Sequence, residues 1–117
     1  MAALESVAAD PPDIVAGDAI SVCPGLGRRL PPDEPRVVFH AATRMHVPRA
    51  RRAAFDEAID SIADGGPLFH AWLEPPTAPH HGLAGATGEM LAMHGPGDLS
   101  AVPVARVDGH LGWEEAC

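Results

Sequence analysis

Arg36-Val-Val-Phe-His40, running into Ala41-Ala-Thr-Arg-Met-His-Val-Pro48, is the stretch that decides the fold. Val37, Val38 and Phe39 form a continuous apolar run, as in a parallel strand covered on both faces. The run ends at His40, and a helix is expected from Pro48 to Asp64. Pro48 suits a first helical turn. Phe55, Ala58, Ile59 and Ile62 fall on one stripe, and Gly65-Gly66 stops the helix in the manner of a C-cap. Leu68 to Leu73 then reads as another strand.

Working upstream, Asp13-Ile-Val-Ala-Gly-Asp-Ala19 has the same form. Ile14, Val15 and Ala16 are expected to make a short strand that Gly17-Asp18 ends. Ile20 to Leu30 is a weaker helix, interrupted by Pro24, Gly25 and Gly27. Residues 13–73 thus read as a βαβαβ unit with a parallel sheet. Met1 to Ala9 has helical spacing and stops at Asp10-Pro11-Pro12.

Working downstream, residues 74–88 carry six Pro and Gly and read as an irregular loop. Glu89 to His94 is a strand. Val102 to Val107 and His110 to Glu114 flank Asp108-Gly109, a strong hairpin signal. Residues 89–115 are therefore expected to be antiparallel.

The chain has 117 residues, which favours a single domain spanning residues 1–117. The formal charge of -8, from 16 acidic and 8 basic residues, disfavours nonspecific nucleic-acid binding. All the basic residues are Arg, a sign of biased codon usage. Cys23 and Cys117 form no C-x-x-C pair and read as free thiols of a reducing compartment. No apolar run approaches a membrane span, and the N-terminus lacks the layout of a signal peptide. A cytoplasmic location is the expectation.

Asp18 and His40 close apolar runs, and ligands of open α/β sheets bind outside the strands' carboxyl ends. Asp18 could accept hydrogen bonds from an adenine amino group or a ribose hydroxyl. It could equally cap the following helix, and spacing alone favours the cap. His40 has the chemistry of a general base near neutral pH. His46 lies in the loop before the helix. Both histidines could instead simply hydrogen-bond the backbone and position that loop. Arg49, Arg51 and Arg52 read as a solvated face, and Trp72 and Trp113 as sheet packing. His70, His80, His81 and His94 invite a metal, but no ligand spacing supports one. No G-x-G-x-x-G and no P-loop occurs.

Val15-Ala-Gly-Asp-Ala19, Pro35 to Pro48, Arg52-Ala-Ala-Phe55 and Arg106-Val-Asp-Gly-His-Leu-Gly-Trp113 together resemble a bacterial family, domain of unknown function 2332. The chain resembles its C-terminal half, over roughly residues 1 to 115. That family is similar to class I S-adenosylmethionine-dependent methyltransferases. The resemblance implies a partial Rossmann-like, three-layer α/β sheet with a C-terminal antiparallel meander. It implies Asp18 and Ala19 as adenine contacts, His40 at the strand end nearest a small-molecule substrate, and His46 on the substrate side. The family's glycine-rich cofactor segment has no counterpart here. S-adenosylmethionine binding is thus expected only with a complementing N-terminal half, and the chain alone is expected to be inactive. The alternative is a non-catalytic interaction module completed by a partner chain, with self-association through an open sheet edge. In a compact monomer, Ile14–Gly17 is expected to pair directly with Val37–Phe39.

Overall fold

The structure, a computed structural model, describes residues 2–75, 89–96, 102–107 and 114–116. Among these residues the helices and strands follow in the order α1 (Ala2–Ala9), α2 (Ala19–Leu26), β1 (Arg36–Ala41), α3 (Arg52–Asp60), β2 (Leu68–Glu74), β3 (Glu89–His94), β4 (Val102–Val107) and β5 (Glu114–Ala116). The strands form one sheet in sequence order, β1-β2-β3-β4-β5. Among the described strands only β1 and β2 are parallel, with Arg36 opposite Leu68 and Ala41 opposite Leu73. Parallel strands need a crossover connection, and α3 supplies it. The remaining strands run antiparallel, as a meander.

Local chemistry explains the elements. Asp18 Oδ1 accepts from Ile20 N at 2.9 Å and caps α2, satisfying one of the orphan donors of the first turn. The helix expected over 48–64 forms as α3 flanked by 3-10 turns at Arg49–Arg51 and Ser61–Ala63. Gly65, at φ +96°, lets the chain leave that helix in a conformation most side chains resist. Pro103 lies in β4 opposite Ala92, beside a register shift between Leu91 and Ala92. A proline inside a sheet is tolerated at such an irregularity.

The core lies between the sheet and two helices. Cys23, Phe55, Ala58, Ile59, Ile62 and Leu68 are buried together, with Ile20, Leu26, Val38 and Val47 packed against them. This is the stripe expected on α3, met by one face of α2. Full burial of a side chain such as Phe55 contributes about 1.5–3 kcal/mol.

Three sequence expectations need correction. Ile14–Ala16 is not a strand, and it does not pair with Val37–Phe39. All residues from Leu4 to Asp18 are exposed, Ile14 at 85%. Three apolar residues between a Pro-Pro pair and a helix cap gain too little burial to offset their ordering entropy. The parallel unit is therefore a single βαβ, not βαβαβ. Nor is the sheet covered on both sides by the described residues. The helices cover the face bearing Leu68, His70 and Trp72, while Val37 and Phe39 stand 74% and 61% exposed on the other. The described residues form two layers, where three were expected. Finally, β5 begins at Glu114, where the last strand was expected to end. Asp108-Gly109, His110–Trp113 and the loop over 76–88 lie outside the described residues.

Candidate functional site at the strand carboxyl ends

β1 and β2 end side by side, and the covered face of each carries polar groups there. Along β2, alternate positions place Leu68, His70, Trp72 and Glu74 on that face, and all four are buried. On β1 the matching positions are Arg36, Val38 and His40. His40 and Glu74 meet at the top: His40 Nδ1 lies 2.9 Å from Glu74 Oε1.

Glu74 does more than hold the histidine. After β1 the chain turns at Ala42, whose φ of +47° is unusual for a residue with a side chain. The turn aims successive amides at the carboxylate. Thr43 N donates to Oε1 at 2.9 Å, Arg44 N to Oε1 at 2.7 Å, and Met45 N to Oε2 at 3.3 Å. Such a concave row of amides is an anion nest, and this one is filled by the chain's own carboxylate. Burial by itself would raise the Glu74 pKa. The His40 hydrogen bond, the Arg44 and Thr43 amides and the His40 charge outweigh it, so the carboxyl is held below the usual 4.5.

An ionised Glu74 can only accept, so His40 Nδ1 carries the proton in this contact. In its neutral form the imidazole then keeps its basic lone pair on Nε2. A carboxylate that fixes a histidine's tautomer and ring orientation is the arrangement used to prepare a general base. The ring is held on its other sides too. Phe55 meets it edge-on with ring centres 5.5 Å apart, and His70 lies 5.0 Å away. His70 in turn packs 5.0 Å from Trp72.

The loop above this pair is anchored to α3. The Arg44 guanidinium makes two hydrogen bonds with the Asp56 carboxylate, at 2.8 and 2.7 Å. Arg52 donates to the carbonyls of Val47 and Met45. Arg51 reaches Asp18 Oδ2 at 3.0 Å, which ties the start of α2 to the turn that leads into α3. Asp18 is thus both a helix cap and an ion-pair partner. Its carboxyl is held below the usual value by the Ile20 amide and by Arg51.

Of the residues singled out in the sequence, His40 lies in this buried cluster and Asp18 and Ala19 form the start of α2. His46 is exposed in the 3-10 turn after β1. The cluster's centre, Glu74, was not among them. It carries the same signal as His40, a polar residue closing an apolar run, but Pro75 beside it gives it equally the signature of a loop start. Cys23 is buried in the core, where desolvation pushes its thiol pKa up, away from nucleophile chemistry. Among the described residues, no group of three or more His, Cys, Asp or Glu side chains is arranged to hold a metal ion. No helix among them is long and apolar enough to cross a membrane.

Fold and site together define a mixed α/β protein with an ordered carboxylate–histidine pair at the ends of its parallel strands. The chain belongs to the domain of unknown function 2332 family, described as uncharacterised proteins conserved in bacteria, whose family model matches residues 1–115. No curated protein and no solved structure matches it.

Proposed function

We propose that this chain is the C-terminal portion of a Rossmann-like domain of the S-adenosylmethionine-dependent methyltransferase type, incomplete and inactive by itself. The observation that carries this reading is the gathering of polar residues at one end of the parallel pair. His40 and Glu74 end β1 and β2, and the Asp18–Arg51 ion pair brings the start of α2 to the loop that follows β1. That end of an α/β sheet is where ligands bind.

On this reading Asp18 and Ala19 face the adenine, and His40 and His46 face a small-molecule substrate. The fit to the cofactor is partial. Asp18 is exposed and each carboxylate oxygen can accept a further hydrogen bond, although one already caps α2 and the other pairs with Arg51. The 117 residues contain no G-x-G-x-x-G, and among the described residues no glycine-rich loop leads from a strand into a helix to hold the remainder of the cofactor. That loop has to come from a complementing segment of polypeptide, so no reaction step is assigned to this chain. Isothermal titration of the chain with S-adenosylmethionine tests the reading. No binding at micromolar concentrations is expected; micromolar affinity would refute the need for a second half.

A second reading makes the chain a non-catalytic module completed by a partner. The depth of the His40–Glu74 pair favours it, because a buried, mutually bonded pair also serves to pin a loop. His40→Gln separates the two. A fold-stabilising role predicts a lower melting temperature with no effect on any activity of the complemented protein.

A further inference from the structure

Two parts of this molecule lack partners among the described residues, and they match each other. One is the outer edge of β1. In the sheet, β1 has a single hydrogen-bonded neighbour, β2. Edge strands normally carry a guard such as an outward charge, a proline or a bulge. β1 has no outward charge, proline or bulge: its register is unbroken from Arg36 to Ala41, its one charged side chain, Arg36, points inward at the start of the strand, and its exposed side chains are Val37, Phe39 and Ala41. Along the same edge, under α2, runs an open groove of about 370 Å³ lined by residues that include Leu26, Leu30, Val37, Val38 and Ile62.

The other is the segment before α2. Ile14-Val15-Ala16 is exposed and outside any helix or strand. A strand added to β1 would face the groove on one side and the surface of Val37 and Phe39 on the other. It would therefore need successive apolar residues, and Ile14-Val15-Ala16 supplies them. Within one copy the segment and the edge do not meet. Asp18 is held by its cap and by Arg51, and the segment before it runs beside α2, where Asp13, Val15 and Gly17 line one groove with Val22 and Leu26.

We propose that two copies of this chain exchange this segment, Ile14–Ala16 of each adding as an outer strand to the β1 edge of the other. The exchange is reciprocal, so it closes as a twofold dimer rather than growing into a fibre. It buries Ile14 and Val37, and it pairs the backbone of the segment with about half of the β1 edge. The proposal does not depend on the methyltransferase reading, and its test involves no cofactor.

The test is sedimentation equilibrium of the full chain with two surface variants, Ile14→Asp and Val37→Lys. Both sites are exposed, and circular dichroism checks that each variant stays folded. The unaltered chain is expected to form a dimer, and each variant to weaken it at least tenfold. An equimolar mixture of the two variants should recover a heterodimer. One variant still has a sound edge and the other a sound segment, so one exchange survives. A monomer at all concentrations would overturn the proposal. So would a dimer unaffected by Ile14→Asp, which would point to direct β1–β1 pairing, or open-ended polymers.

Discussion

Glu74 Oε1 lies 2.9 Å from His40 Nδ1 and accepts from the backbone amides of Thr43 and Arg44 as well. One carboxylate thus orders a side chain on the neighbouring strand and the loop that leaves it. Removing its charge should be costly. Glu74→Gln keeps the shape but turns one acceptor into a donor facing amide N–H groups. A loss of about 1–3 kcal/mol is expected, the usual cost of leaving buried polar groups unsatisfied, read as a lower midpoint in urea.

The same residue governs the acid limb of stability. Its pKa is lowered in the folded protein, so its contribution is present above the ordinary value of 4.5 and is lost as pH falls through the lower folded value. Stability of the unaltered chain should therefore drop as pH falls below about 4.5, while Glu74→Gln should show a shallower fall over that window. Urea titrations at stepped pH check this; parallel curves would show that Glu74 is not the responsible group.

Ala42 holds a left-handed conformation because the amides beyond it are drawn to Glu74. Glycine adopts that conformation without the steric cost of a β-carbon. Ala42→Gly should therefore be neutral or stabilise the protein slightly, against the usual cost of adding a glycine. A clear loss of stability in thermal melts would mean the strain is smaller than the added chain entropy.

Gly27 closes α2 against the end of the α3 region. A β-carbon there would lie 2.9 Å from the Ile62 carbonyl, 3.0 Å from that of Ser61 and 3.1 Å from that of Asp64. Backbone cannot yield as a side-chain tip can, so Gly27→Ala is expected to cost about 1–3 kcal/mol, as overpacking does. Chemical denaturation of that variant is the measurement.

Much of the fold was legible because local pattern and tertiary environment agreed. The apolar runs at Val37–Phe39 and Leu68–Leu73 and the stripe Phe55, Ala58, Ile59, Ile62 each carry their own period, and each formed. Asp18 as a helix cap was likewise readable from spacing, since capping is settled within two residues. Ile14–Ala16 failed because a strand is defined by its partner. No local pattern reports whether an edge is within reach.

The sequence by itself thus determined α3, the strands β1 and β2 and the cap at Asp18, because these depend on residues near one another along the chain. Only the tertiary structure decided that Glu74, 34 positions after His40, is that residue's partner. Only it decided that, among the described residues, one face of β1 and its outer edge are left uncovered. The reason is physical: the parallel register of β1 and β2, set by the crossover through α3, is what carries those two side chains into contact.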